Sequence, residues 1–315
     1  MTALRILFMG TPEFAVTILD KIIQHDYTVV GVVTAPDKPA GRGQKLRKSA
    51  VKVFAEEKGI EVLQPTNLKA DAFQEDLKRL EPNLNIVVAF RMLPKKVWNF
   101  PTLGTFNLHA SLLPQYRGAA PINWAIINGE ITTGVTTFFI DEKIDTGSII
   151  LREEVDIEST DNAGSLHDKL MHKGASLIIT TLEQIENDKV SLQEQKESGG
   201  LKTAYKLVNE NTKVDWTKPT KEIYNHIRGL SPYPVAWTQL ENADEVLRCK
   251  IQEASYTLKE HQLPLGKISI EEKSILVATK DGFITIEEMQ LPGKRKMKAK
   301  DLLNGYEFKE NAKML

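Results

Sequence analysis

Short apolar runs alternate with amphipathic stretches through the first half of the chain. Arg5–Met9 is an apolar run that stops at Gly10, which predicts a buried strand. Thr11-Pro12-Glu13 then reads as an N-cap, a proline at the first helical position and an acidic first turn. Behind it Phe14, Ala15, Ile18, Leu19, Ile22 and Ile23 recur at helical spacing and make one apolar stripe. Tyr27–Val33 and Ile60–Leu63 predict two more strands. Between them Ser49 caps a helix that carries Val51, Phe54 and Ala55 and closes at Gly59. Ala72–Leu80 is helical by pattern. Asn85–Phe90 is a nearly unbroken apolar run, as expected of a strand covered on both faces, and Thr105–Leu108 is a fifth strand. Repeated strand-helix-strand units imply a doubly wound parallel sheet with right-handed crossovers.

Gly134–Ile140 and Ser148–Val155 are two further strands joined through Asp141–Gly147, and Ser165–Glu186 is a long amphipathic helix. Asn187–Lys206 is polar and has no clear period, so it reads as a linker. Beyond it come short β-rich runs at Val235–Leu240, Leu247–Ala254, Gly266–Glu271, Ser274–Ala278 and Phe283–Met289, separated by turn residues. Such spacing suits a small barrel of the oligonucleotide-binding type. The expected organisation is an α/β, Rossmann-like domain with a mainly parallel sheet over 1–188, a linker over 189–206, and an OB-like β-barrel over 207–315. Trp216, Tyr233 and Trp237, with Pro232 and Pro234 nearby, are expected in core or interdomain packing.

Composition narrows the class. The chain has 315 residues, 41% hydrophobic and 26% charged, which is ordinary for a globular protein. Lys and Arg number 41 against 42 Asp and Glu, so bulk charge points to no polyanionic partner. Residues 1–205 carry a net −3 and residues 206–315 a net +2, a small contrast. Two local clusters matter more. Lys38, Arg42, Lys45, Arg47, Lys48 and Lys52 lie in a stretch without acid up to Glu56, and Lys294, Arg295, Lys296, Lys298 and Lys300 crowd together near the end. Cys249 is the only cysteine, so no intrachain disulfide forms, and the six histidines lack metal-ligand spacing; no metal is expected. Ile86–Phe90 falls far short of the ~20 residues that span a bilayer. The expectation is a soluble cytoplasmic monomer with no membrane contact.

Candidate chemistry begins with an exclusion. A dinucleotide fingerprint needs G-x-G-x-x-G after the first strand, but only Gly10 is present and Pro12 removes an N–H that a pyrophosphate would use. Asn107 and His109 flank Leu108 at the end of the fifth strand and, by alternation, face the same side. Carboxyl ends of parallel strands are where open α/β sheets bind ligands. Asp145 lies in the loop after another strand. An amide, an imidazole and a carboxylate together suit acyl transfer: the amide donates to a developing oxyanion, and the carboxylate orients the imidazole.

Six stretches carry a resemblance across nearly the whole chain: Gly10-Thr-Pro-Glu-Phe-Ala15, Pro36-Asp-Lys-Pro-Ala-Gly-Arg-Gly43, Asn107-Leu-His109, Ser111-Leu-Leu-Pro114 with Arg117-Gly-Ala-Ala-Pro-Ile122, Asp145-Thr-Gly147, and Pro292-Gly-Lys through Lys300-Asp-Leu-Leu303. In these the chain resembles the methionyl-tRNA formyltransferases. The central three alone would mark only the wider folate-dependent superfamily; the Pro36–Gly43 loop and the terminal motif narrow it. The resemblance implies formyl transfer from 10-formyltetrahydrofolate, as co-substrate, to the α-amine of methionyl initiator tRNA. It implies Asn107, His109 and Asp145 as the catalytic trio and Ser111, Leu112, Leu113 and Pro114 as folate contacts, with backbone around 88–91 and 140–144 seating the pterin. Lys38, Arg42 and Lys45, with Lys294, Arg295 and Lys296, are then the expected tRNA contacts, Arg42 being the principal probe of the acceptor end. One departure stands out: Phe90-Arg91 replaces the Tyr-Gly of many relatives, beside the expected pterin pocket. The competing readings are a sugar-nucleotide N-formyltransferase, which would lack the basic loop and the terminal motif, and a non-catalytic RNA-binding protein, against which the intact trio speaks.

Overall fold

The computed structural model describes residues 3–40, 45–196 and 199–315. They form two compact units. The first takes in the chain up to Gly118, then Thr132–Asp156 and His167–Thr203; the second takes in Ala119–Ile131, Ile157–Leu166 and Ala204–Leu315. The limits expected at 188 and 206 run along the chain, whereas both units are assembled from separated stretches.

The first unit holds β1 (Arg5–Gly10), α1 (Glu13–Gln24), β2 (Thr28–Val33), β3 (Lys38–Ala40), β4 (Lys45–Arg47), α2 (Ala50–Glu57), β5 (Val62–Leu63), α3 (Asp71–Leu80), β6 (Leu84–Val88), α4 (Lys95–Trp98), β7 (Thr105–His109) and β8 (Arg117–Gly118). Its sheet is completed by β9 (Thr132–Phe139) and β10 (Ile149–Asp156), in the order β10-β9-β7-β6-β1-β2-β5. β1, β2, β5, β6 and β7 run parallel. β9 and β10 add an antiparallel edge. The mainly parallel, Rossmann-like sheet is as expected. α3 buries Phe73, Leu77 and Leu80 against a cluster that includes Leu7, Met9 and Val87. Each such side chain contributes about 1.5–3 kcal/mol on full burial.

Local chemistry explains two boundaries. Ser49 caps α2 as expected, its Oγ accepting from the Lys52 N–H at 3.1 Å. Thr11 does not cap α1. Pro12 is extended and takes the cap position itself, with no side-chain acceptor, so α1 opens at Glu13. Gly10 is a packing residue: a Cβ there would come within 2.6 Å of Ala15 Cβ and 2.9 Å of Phe8 Cε1. It lets β1 turn tightly into α1.

The second unit contains α5 (Pro121–Ile127), the opening residues of α6 (Ala163–Glu186), α7 (Thr220–Leu230) and an antiparallel sheet. That sheet comprises β12 (Ala236–Asn242), β13 (Glu245–Leu258), β14 (Ile268–Glu271), β15 (Ser274–Ala278), β16 (Gly282–Gln290), β17 (Met297–Lys298) and, after α8 (Ala299–Leu302), β18 (Lys313–Met314). The order is β14-β15-β16-β13-β12-β18, with β17 on β16. A bridge between Lys267 and Lys313, and the bond from Ile268 N–H to the Ala312 carbonyl at 3.1 Å, sew the two ends together into the expected small barrel. β11 (Thr203–Ala204) pairs with β8.

α7 is not foreseen in the sequence pattern. It buries Ile223, Ile227 and Leu230 in the barrel core, and Asp281 caps it across the fold, accepting from Thr220 N–H at 2.8 Å and Thr220 Oγ1 at 2.6 Å. The three aromatics diverge. Trp216 is buried, its Nε1–H bonded to Thr238 Oγ1 at 2.9 Å. Trp237 is half-buried under Arg248, whose guanidinium carbon lies 3.9 Å from the ring centroid. Tyr233, expected to pack, is 82% exposed; the Val235 N–H closes the loop onto the Leu230 carbonyl at 2.9 Å and leaves Tyr233 at the tip. Burial pushes the Cys249 thiol up to about 11, so the sole cysteine is a core residue with little thiolate.

His226 sits on α7 with its Nε2 sealed and unpartnered among the described residues. Burial holds its imidazole below the ordinary 6.5, against the backbone of Thr212 and Lys213 and the Asp215 carboxylate. The unfolded chain therefore takes up a proton that the folded unit resists. Stability is intact above about pH 6.5 and falls as pH drops through that value toward the lowered folded pKa. Denaturant unfolding of wild type between pH 7.5 and 5.5 is expected to show this loss, and His226→Gln to flatten it; equal slopes would show that His226 carries none of it.

Candidate active site

Alternation along β7 puts Asn107 and His109 on one side of the strand, next to β6 and β9. Asn107 lies opposite Val87 and Phe138, and His109 opposite Thr136. The Asn107 side chain is half-buried, and no described protein group hydrogen-bonds its amide. His109 is buried, and its Nε2 meets the Tyr116 carbonyl at 2.8 Å. A carbonyl can only accept, so Nε2 carries the hydrogen, and Nδ1 is the nitrogen turned toward Asp145. Asp145 Oδ2 stands 3.9 Å from Nδ1 and accepts the Gly118 N–H at 2.9 Å. The three side chains expected from the sequence thus converge at the carboxyl rim of the parallel strands.

The backbone around them is unusual. Ala89, Tyr116 and Asp145 all lie in the left-handed region, at φ 47°, 58° and 55°. Each costs on the order of 1–3 kcal/mol and must be held by its surroundings. The Asp145 loop is closed by Asp141, whose Oδ1 accepts from Lys143 N–H at 3.0 Å and Thr146 Oγ1 at 2.7 Å. Gly147 passes so close to β9 that a Cβ there would overlap the Phe139 carbonyl oxygen. Arg117, Asp141, Glu142, Lys143, Thr146 and Gln195 line a hollow of about 440 Å³ beside the loop. Gln195, Tyr116 and Gly118 hold Asp145 and His109 and escape sequence reasoning, because their contacts are backbone or tertiary.

The segment Ser111–Pro114 is stitched to β9. Ser111 Oγ donates to the Gln115 carbonyl at 2.6 Å, while Thr136 Oγ1 donates to the Ser111 carbonyl at 2.6 Å and accepts from Leu113 N–H at 3.1 Å. Ser111 and Leu113 are fully buried; Leu112 and Pro114 are partly exposed. Arg91 is turned onto the strand-end loop after β5, bonded to the Thr66 carbonyl at 2.9 Å and to the Pro65 carbonyl.

The basic run is partly neutralised in place. Lys48 pairs with Glu56 at 2.6 Å; Lys52 reaches Asp37 Oδ2 and Gln64 Oε1, each at 2.7 Å. The hydrogen bond from Lys52, with a second from Gln64, holds the Asp37 carboxyl below the usual carboxylate range. β3 and β4 form a hairpin, Lys38 opposite Arg47 and Ala40 opposite Lys45. The Lys38 and Arg47 side chains are exposed and unpaired among the described residues. Arg42 lies outside the described residues. Lys294, Arg295 and Lys296 belong to the second unit; Lys296 pairs with Glu288 at 3.0 Å, and the other two are exposed. Among the described residues no group of three His, Cys, Asp or Glu could hold a metal, and no helix is long and apolar enough to cross a membrane.

The family described as "Formyl transferase" matches residues 4–182, and "Formyl transferase, C-terminal domain" matches 206–307. A methionyl-tRNA formyltransferase of Flavobacterium johnsoniae is 59% identical over 314 residues, covering 100% of both chains. The chain belongs to the methionyl-tRNA formyltransferase family. A family member from Bacteroides thetaiotaomicron is 49% identical, covering 99% of this chain and 98% of that one. Solved structures agree on the fold. A sugar 3N-formyl transferase, WlaRD, superposes with a TM-score of 0.65 at 23% identity, over 94% of this chain and 100% of that one. HypX from Aquifex aeolicus, in complex with tetrahydrofolic acid, gives a TM-score of 0.65 at 19% identity over 96% of this chain and 47% of that one.

Gly147→Ala forces the backbone beside Asp145 away from β9. It is expected to lower the turnover of formyl transfer about 10- to 100-fold, since a displacement of about 1 Å at a catalytic group has that effect. Unchanged turnover in a folded variant, checked by circular dichroism, would show that this loop's position is immaterial.

Proposed function

We propose that this chain transfers the formyl group of 10-formyltetrahydrofolate to the α-amino group of methionyl initiator tRNA. The observation that carries the reading is the convergence of Asn107, His109 and Asp145 at the rim of the sheet, in a chain alike over its full length to methionyl-tRNA formyltransferases. The sugar-acting relatives share the fold at much lower identity, so they do not displace it.

The chemistry follows from the groups available. The amine lone pair attacks the formyl carbon, and charge gathers on the formyl oxygen. The unpaired Asn107 amide donates to that oxygen. The new C–N bond forms as the bond to the folate nitrogen breaks, and that nitrogen takes up a proton. The attacking amine sheds one to the Asp145 carboxylate, beside the His109 imidazole that Tyr116 holds in orientation. No metal is needed for any of these steps. The folate binds along Ser111–Pro114, through Leu112, Pro114 and backbone, since Ser111 and Leu113 are buried. With Arg91 drawn onto the Pro65 and Thr66 carbonyls, its bulk is turned to the loop after β5.

Lys38, Arg42 and Lys45 meet the acceptor end of the tRNA, and Lys294, Arg295 and Lys296 on the barrel meet its phosphates. The residues over 1–188 carry the chemistry and the C-terminal barrel carries tRNA binding. A charged tRNA and a reduced folate imply a cytoplasmic setting.

Two measurements bear on this. With both substrates saturating, Asn107→Ala is expected to lower kcat about 10²- to 10³-fold, the value of one oxyanion donor; near-normal kcat removes Asn107 from that role. Arg42→Ala is expected to raise KM for initiator tRNA tenfold or more and leave KM for the folate within about twofold. Equal loss of both would count against a tRNA-reading loop.

A further inference from the structure

Gln195 lies in the polar tract that reads as a linker, and every hydrogen-bonding face of its carboxamide is used. Nε2 donates to the Asp145 carbonyl at 2.9 Å and to the Gly147 carbonyl at 2.8 Å. Oε1 accepts from Arg117 Nε at 3.0 Å and Nη2 at 2.8 Å. We propose that Gln195 is a positioning residue for formyl transfer, acting through Asp145. This rests on the reading of Asp145 as the carboxylate of the active site.

Asp145 needs such a hold. Its φ of 55° is unfavourable for a residue with a side chain, so the conformation persists only where contacts impose it. Gln195 grips the peptide from outside, at the carbonyls of Asp145 and Gly147. The same carboxamide fixes Arg117, the neighbour of Gly118, whose N–H holds the Asp145 carboxylate. One side chain therefore sets both the backbone of Asp145 and the position of its hydrogen-bond donor. Gln195 is itself anchored. Two residues earlier, Gln193 exchanges backbone bonds with Ile149 at 2.9 and 2.8 Å, and Arg152 donates to Gln193 Oε1 at 3.0 Å. A single antiparallel bridge to the start of β10 thus anchors the tract that brings Gln195 to the loop.

Only a carboxamide combines two donors with a two-lone-pair acceptor on this geometry. Glutamate has the same shape and keeps Arg117, now as an ion pair, but cannot donate to the two carbonyls. Gln195→Glu thus separates the hold on Asp145 from the hold on Arg117. The experiment is steady-state formylation of methionyl initiator tRNA with 10-formyltetrahydrofolate, alongside amide hydrogen exchange at Gly118 and a thermal melt. The expected result for Gln195→Glu, and for Gln195→Met as a second variant, is a kcat lowered about 10- to 100-fold. KM for both substrates should stay within about threefold, Tm should be nearly unchanged, and the Gly118 amide should exchange faster. A kcat within twofold of wild type, or a loss that tracks the fraction unfolded, overturns the proposal. So does a rise in both KM values with kcat intact. A wild-type chain that formylates no methionyl-tRNA would instead overturn the functional reading itself, while faster Gly118 exchange in the variants would still report the contact.

Discussion

A single bond from a backbone amide to a carboxylate organises the site. Gly118 N–H, on the short strand after β7, reaches Asp145 Oδ2 in the loop after β9. It turns the carboxylate toward His109 Nδ1, 3.9 Å away. Its geometry in turn demands left-handed turns at Tyr116 and Asp145, because each loop must fold back toward the other over a short span. The strands beneath pair directly, antiparallel, with Phe106 opposite Phe139 and His109 opposite Thr136.

The sheet also explains why three different residue types meet. β6 and β7 run parallel and end at the same rim, so Ala89 and His109 emerge together. β9 runs the other way and ends beside the start of β7, and the loop Asp141–Gly147 after it brings the Asp145 carboxylate to 3.9 Å from His109. Solved structures below 25% identity share this fold. The basic hairpin obeys a different logic. Beside it Lys52 pairs with Asp37 and Lys48 with Glu56, while among the described residues Lys38 and Arg47 have no acidic partner.

Legibility in the sequence follows the range of the interactions. β1, β6 and the Ser49 cap are legible because their causes lie within a few residues: an apolar run, or a hydroxyl three residues from its amide. The placement of Asn107 beside His109 is legible from alternation alone. α7 is not, because its cap comes from Asp281, 61 residues away. The partnership of Asp145 with the pair on β7 is suggested by its place in a loop after another strand and made specific by the family resemblance, since nothing local to Asp145 announces it. Gln195 is invisible for the same reason, as its three partners lie 48 to 78 residues upstream. Tyr233 misleads because an aromatic between prolines looks like packing material, and the hydrogen bond that turns it outward joins two backbone groups.

The interleaving of the two units has a consequence for synthesis. The chain changes unit five times, after Gly118, Ile131, Asp156, Leu166 and Thr203. Residues 119–131 and 157–166 leave the ribosome long before the barrel strands they belong with. Ile127 is half-buried and packs on the barrel's core cluster once that is complete. Until then its apolar surface is open to water and to other nascent chains. A translating ribosome therefore carries an unfinished seam for much of the chain's length, and this fold should lean on chaperones during elongation more than a protein of its size whose domains follow one another along the chain.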